Sequence, residues 1–161
     1  MPETEQRDAN GTETVVAMQE LIKTELAQAA ELIQAALEAA RMAYAPYSRF
    51  RVGAALLLEN GETVTGANVE NVSYGLTICA ERSALVRAVA MYGPEVRLAA
   101  AAIVNLNDKP SPPCGACRQV LAEFMDPEAP VSFPAERSGV VASITLPFRE
   151  LLPYGFELRL K

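Results

Sequence analysis

Three cysteines and no histidine occur in the 161 residues, and the placement of those cysteines constrains the fold more than any other feature. Cys114 and Cys117 stand three apart in Pro113-Cys114-Gly115-Ala116-Cys117-Arg118-Gln119, while Cys79 lies far upstream in Cys79-Ala80-Glu81-Arg82. Residues three apart at the start of a helix share a side, so one ion at about 2.3 Å from each sulfur can bridge the pair. A third sulfur has to come from Cys79, which requires a fold that brings the beginnings of two distant helices together. Three sulfurs leave the fourth position of a tetrahedral zinc to water, whose pKa the metal lowers to about 7. A structural zinc site closes with four ligands, and the chain has no fourth cysteine and no histidine to close one. On spacing alone, C-x-x-C reads equally as a redox pair or as half of a structural zinc site. That alternative, a non-enzymatic zinc or thiol module, requires a fourth ligand from a carboxylate or from another chain.

Three thiolates on a zinc ion leave a net charge of −1, which weakens the metal as a Lewis acid unless something withdraws electron density from the sulfurs. Arg82 and the two helix N-termini are placed to do so. Gln119, one turn beyond the paired cysteines, is a candidate for an amide hydrogen bond behind the ligands. Glu81 follows Cys79 by two positions, a separation of about 200° around a helix, which suits a separate proton-handling role better than ligation. Taken singly, Glu81 and Arg82 also read as ordinary surface charges.

Half of the residues are hydrophobic, enough for one domain to bury a core without disulfide support. The odd cysteine count and a polar, acidic N-terminal stretch place the protein in a reducing compartment, the cytoplasm. No apolar run reaches the roughly 18 residues of a membrane span, because residues 26–40 are interrupted by Gln28, Glu31, Gln34 and Glu38. A net charge of −6, with lysines and arginines scattered singly, disfavours a nucleic-acid polymer and suits a small neutral ligand.

Residues 1–14 lack apolar periodicity and read as a mobile N-terminal tail, leaving residues 15–161 as a single domain. Residues 15–43 carry helical spacing at Leu21, Leu26, Ile33, Leu37 and Met42, ended by Ala45-Pro46. Residues 51–58 and 62–66 flank Glu59-Asn60-Gly61 as a hairpin in which Asn60 or Gly61 takes positive φ. A buried helix over 78–92, an interior strand over 98–106 and a helix over 114–125 follow. The chain closes with strands at 131–133 and 140–146 and a helical turn at 148–152. Strands alternating with helices in this order predict a layered α/β domain with both cysteine-bearing helices on one face of a central sheet.

The two cysteine motifs resemble the signature of the zinc-dependent cytidine deaminases, specifically their small, homotetrameric, all-cysteine branch. The resemblance continues through residues 43–55 (Ala-Tyr-Ala-Pro-Tyr-Ser-Arg-Phe-Arg-Val-Gly-Ala-Ala), Gly66-Ala67-Asn68-Val69-Glu70-Asn71, and Glu150-Leu151-Leu152-Pro153-Tyr154-Gly155-Phe156. It implies a three-layer α/β fold, a central mixed sheet flanked by helices, and one Zn²⁺ per chain on Cys79, Cys114 and Cys117. It further implies that a zinc-activated water adds to C4 of cytidine or 2′-deoxycytidine while Glu81 shuttles protons to N3 and to the departing ammonia. Asn68 and Glu70 would bind ribose hydroxyls, backbone groups near Ala80 would read the pyrimidine edge, and Phe50 would line the base pocket. Tyr74 and Phe156 match positions from which such enzymes build the pocket across subunits, so a homotetramer is expected. Another aminopyrimidine nucleoside, such as blasticidin S, is the closest alternative substrate. The chain departs from the family's pattern in its N-terminal extension to about Gln28, in Ala67 where many members have cysteine, and in the proline-rich stretch 126–141.

Overall fold

The computed structural model describes residues 5–156. In chain order the elements are α1 (Glu5–Arg41), β1 (Val52–Leu58), β2 (Thr63–Ala67), α2 (Ala80–Tyr92), β3 (Leu98–Asn105), α3 (Gly115–Leu121), β4 (Pro130–Arg137), β5 (Val140–Pro147) and α4 (Phe148–Leu151). A single 3-10 turn, Tyr74–Leu76, precedes α2. The described residues divide within α1 into two compact units, one ending at Glu31 and the other beginning at Leu32. Among the described residues no helix is long and apolar enough to cross a membrane.

The second unit is built on a mixed five-stranded sheet in the order β2-β1-β3-β4-β5, antiparallel throughout except for the parallel pair β3–β4. Side chains alternate between the two faces of a strand, and β1 shows the consequence. Ala54, Leu56 and Leu58 pack into the main core with Ala84, Leu85 and Ala88 of α2, Leu121 of α3, and Phe148 and Leu151 of α4. Ala55 and the partly buried Leu57 turn the other way, toward Leu32 and Ala36 of α1. The result is the expected three-layer sandwich, with the two cysteine-bearing helices on one face.

Two glycines set how closely the helices approach the sheet. A Cβ on Gly53 of β1 would overlap the Ala36 carbonyl oxygen and the Ala40 nitrogen of α1, and one on Gly66 of β2 would overlap the Ala84 nitrogen and Ala80 carbonyl oxygen of α2. Both helices lie directly on strand backbone there, which only a residue without a side chain allows.

Several boundaries differ from the sequence expectation for identifiable reasons. Helix α1 starts at Glu5 rather than near residue 15, so Asn10-Gly11 lies within it; a glycine costs about 1 kcal/mol in a helix without ending one. Residues 1–4 of the expected tail lie outside the described residues. Helix α3 stops at Leu121 rather than 125 because the next turn is recruited by the sheet: the Leu98 amide donates to the Phe124 carbonyl at 2.9 Å, and Met125 is buried. The last hairpin is longer than expected, pairing Pro130 through Arg137 with Val140 through Pro147. Its turn, Ser138-Gly139, has φ of 53° and 80°, the left-handed pair a tight hairpin favours. Pro134 is tolerated because β4 is in register with β3 only at Val131 and Ser132, so the missing N–H breaks no bond to that neighbour. In the Asn60-Gly61 turn it is Gly61 that takes positive φ, at 87°.

Candidate active site

Both cysteine-bearing helices begin at a cysteine. Cys79 is the N-cap of α2 and Cys114 the N-cap of α3, each with extended backbone (φ −71°, ψ 155° and φ −67°, ψ 162°). The Cys114 sulfur accepts the Cys117 backbone N–H at 3.4 Å, the bond an N-cap side chain makes to the third helical residue. Cys117 is buried completely, Cys79 partly, and Cys114 is exposed. All three are free thiols whose sulfurs lie within 4.8 Å of one another, and Cys79 Sγ and Cys114 Sγ are 3.9 Å apart. A tetrahedral ion with Zn–S bonds of about 2.3 Å separates its sulfurs by about 3.8 Å, so the donor set fits one zinc ion per chain.

The electrostatics favour the thiolate at Cys79 and oppose it at Cys117. The Cys79 thiol is lowered to about 5, first by the hydrogen-bonding thiol of Cys117 and then, against the cost of burial, by Arg82. The same pairing pushes Cys117 up, with burial and the charge of Glu81 adding to it. Binding of a cation to thiolate ligands releases the protons that these sulfurs carry in its absence. The Arg82 Nη2 donates to Cys79 Sγ at 3.5 Å and to the Thr77 carbonyl at 3.1 Å, and its charged form is favoured by that contact. Its Nε is buried without a hydrogen-bond partner among the described residues. The structure thus places the Arg82 guanidinium against the Cys79 sulfur.

Glu81 occupies the second position of α2, and only 4% of it is exposed. Burial raises its carboxyl above the ordinary range, and the negative charge of Cys79 adds to the effect, while its own backbone amide and Arg82 oppose it. A buried carboxyl raised above its ordinary range beside a cluster of metal-binding thiols is an environment suited to a proton donor and acceptor.

A cavity of about 460 Å³ opens over this cluster, lined among others by Phe50, Asn68, Glu70, Cys79, Ala80, Glu81 and Cys114. Five other sequence-predicted residues thus join Cys79 and Cys114 in this cavity, although Phe50, Asn68 and Glu70 come from segments far from α2 and α3. Two short bridges draw them in: Val69 pairs with Tyr44 on one side and with Ile78, just before Cys79, on the other. Asn68 spends its side chain on backbone, accepting from Val52 N at 2.8 Å and donating to Phe50 O at 2.9 Å. Glu70 accepts from the Tyr47 and Ser48 amides at 2.9 and 3.3 Å and from the Ser48 hydroxyl. These bonds, led by the one from the Ser48 hydroxyl, hold its carboxyl below the ordinary range.

Three predicted residues stand apart. Tyr74 is 79% exposed and lines an adjoining cleft with Tyr47, Ser48, Glu70, Asn71 and Thr77. Phe156 is 74% exposed and lines a different cavity beside α4. Gln119 is a correction: its Nε2 donates to the Phe156 carbonyl at 2.9 Å, so its amide ties α3 to the C-terminal segment rather than backing the sulfurs. The sequence reading also missed Ser48, Pro110, Ser111 and Pro112 on the cavity wall. Their only signal was proximity to Phe50 and Cys114 along the chain.

Fold and site together define an α/β domain with three cysteine sulfurs arranged to hold a zinc ion and a buried glutamate beside them. A sequence model described as the cytidine and deoxycytidylate deaminase zinc-binding region matches residues 26–132. A cytidine deaminase of Halalkalibacterium halodurans is 48% identical over 125 residues, covering 78% of this chain and 91% of that protein. The crystal structure of the cytidine deaminase from Burkholderia pseudomallei superposes with a TM-score of 0.67 at 45% identity, covering 78% of this chain and 97% of the other. That from Mycobacterium tuberculosis gives 0.66 at 42%, covering 80% and 96%. The chain belongs to the cytidine and deoxycytidylate deaminase zinc-binding family.

Proposed function

We propose that this chain is a hydrolase that converts cytidine and 2′-deoxycytidine, with water, to uridine and 2′-deoxyuridine with release of ammonia, a step of pyrimidine salvage. The observation that carries this reading is the buried Glu81 beside three converging cysteine sulfurs, with Cys79, Glu81 and Cys114 lining one cavity. Cys79, Cys114 and Cys117 would hold one Zn²⁺, which when bound makes hydroxide available at neutral pH.

The protein's own groups then divide the remaining work. Glu81 takes a proton from the attacking water and delivers it to N3 of the pyrimidine; it carries the second to the C4 amine, which leaves as ammonia. Its burial supports this role, because burial raises the carboxyl above its ordinary range and so makes it a better proton acceptor. Ala80 offers backbone to the pyrimidine edge, and Phe50 supplies an apolar wall for the ring. Asn68 and Glu70 face the same cavity, and their remaining lone pairs and the second amide hydrogen suit ribose hydroxyls. Arg82 draws charge from Cys79.

We assign Tyr74 and Phe156 to pockets completed by neighbouring subunits of a homotetramer, and the protein to the cytoplasm. Support for association comes from the exposed apolar run Val69, Val72, Tyr74, Leu76 and Ile78, which has no cover within the described residues. Support for the location comes from three free thiols that a reducing compartment preserves. The test is ammonia release from a panel of cytidine, 2′-deoxycytidine, cytosine, adenosine and blasticidin S, with zinc counted in the same sample. Turnover of the two cytosine nucleosides at about one zinc per chain is expected; a zinc-loaded protein inactive on both would overturn the assignment.

A further inference from the structure

The segment from Arg49 to Val52 carries Phe50 to the cavity wall, yet Arg49 through Arg51 belong to no strand. Every backbone polar group in it is nonetheless bonded, largely by two asparagine side chains. Asn68 takes the Phe50 carbonyl and the Val52 amide, at 2.9 and 2.8 Å. Asn107 takes the groups on either side of Phe50: its Nδ2 donates to the Arg49 carbonyl at 3.1 Å, and its Oδ1 accepts from the Arg51 amide at 3.0 Å. The Ser48 hydroxyl accepts the Phe50 amide at 2.9 Å, and the Leu106 amide reaches the Arg51 carbonyl at 3.0 Å. A primary amide that donates to one carbonyl and accepts from the amide two residues on imitates a neighbouring strand.

The segment needs such a clamp. Arg49 has a φ of 59°, a left-handed conformation that a residue with a side chain adopts only when its surroundings hold it there. Asn107 is held in turn. The buried Asn105 accepts the Asn107 amide at 2.8 Å, and its Nδ2 donates to the Lys109 carbonyl and the Ser111 hydroxyl. The loop fixed in this way continues into Pro110, Ser111 and Pro112, which line the same cavity as Phe50. One asparagine thus joins two walls of the pocket that share no regular secondary structure at that point.

We infer that Asn107 is a positioning residue for nucleoside binding, acting through Phe50 by clamping the backbone on both sides of it. The inference rests on the cytidine deaminase reading above. Because Asn107 is exposed, its truncation opens no cavity in the core, and the site of proton transfer is left in place. Loss of the clamp therefore weakens ground-state and transition-state binding together, which raises KM at nearly constant kcat.

The test is steady-state deamination by Asn107→Ala, Asn107→Asp, Phe50→Ala and the Asn107→Ala/Phe50→Ala double variant, each with zinc counted. Asn107→Ala is expected to raise KM for cytidine roughly tenfold, with kcat within about twofold and zinc unchanged. Asn107→Asp keeps the acceptor for the Arg51 amide but sets a carboxylate against the Arg49 carbonyl, so it is expected not to restore KM. In the Phe50→Ala background, adding Asn107→Ala is expected to change KM by less than about twofold, since residues acting through one another are not additive. Wild-type activity with an unchanged KM in Asn107→Ala, or fully additive effects in the double variant, would overturn the clamp alone. A zinc-loaded wild-type protein that leaves cytidine untouched would overturn the functional reading, and the role assigned to Asn107 with it.

Discussion

The two faces of the sheet hold their helices by the same device and put them to different uses. On one face Gly66 lets α2 rest on β2, and on the other Gly53 lets α1 rest on β1. Beneath α2 the close approach fixes the end of a helix that begins with Cys79, Ala80 and Glu81, so the packing is continuous with the site. Ala80 and Ala84 both belong to the buried core and to the backbone that meets Gly66. Beneath α1 the same contact buries Leu32, Ala36 and Ala40, none of which lines the cavity. The comparison teaches that a glycine in a strand can serve stability alone or stability and chemistry together, according to what the overlying helix carries at its end.

The largest expected effect breaks the active face outright. Cys114→Ala removes one of the three sulfurs, and zinc counted by elemental analysis is expected to fall well below one per chain, with deamination lost. Retention of a full zinc complement would show that the sulfur is not a ligand.

Paired substitutions of the two glycines sharpen the comparison most. Gly66→Ala and Gly53→Ala are each expected to cost about 3 kcal/mol in denaturant unfolding, since the added methyl meets backbone that cannot rotate away. They should part in their kinetics. Gly66→Ala displaces α2 and lowers kcat and zinc content per folded molecule, whereas Gly53→Ala leaves both unchanged in the folded fraction. Equal kinetic damage from both would erase the distinction between the faces. A milder probe of the α1 face is Leu32→Ala, expected to cost about 2 kcal/mol with kcat unchanged.

The smallest effect concerns the cost of burying Glu81. Its folded-state pKa lies above its unfolded value, so below the unfolded pKa both states hold the neutral acid and burial carries no charge penalty. As pH rises past the unfolded value, the unfolded chain ionises first, and the native state loses stability until pH passes the raised folded pKa. In chelator-treated protein, Glu81→Gln is therefore expected to melt above the parent at pH values over neutrality and to match it at about pH 3. Equal melting at both ends of that range would show that the carboxyl sits there without strain.

The metal cluster was legible in the sequence because its information is local. Cys79, Glu81, Cys114 and Cys117 owe their relative placement to two helix starts, one of them announced by Pro113, and the strand-helix alternation allows those starts to converge. The clamp around Phe50 was not legible, because Asn105 and Asn107 after a strand look like ordinary loop residues, and only the folded chain shows which backbone they grip. Gln119 misled for the opposite reason. Helical spacing puts it near the cysteines, but the returning C-terminal segment offers its amide a nearer carbonyl. Gly53 and Gly66 carried no sign of their role either, since a glycine in a strand marks close approach without naming what approaches.

The central claim is that Glu81 moves protons while three sulfurs hold the metal, and the most direct measurement is cytidine turnover by Glu81→Gln with zinc counted in the same sample. About one zinc per chain is predicted, with kcat lowered by at least roughly 10³-fold. A zinc-loaded Glu81→Gln protein that deaminates cytidine at the parent rate would contradict it.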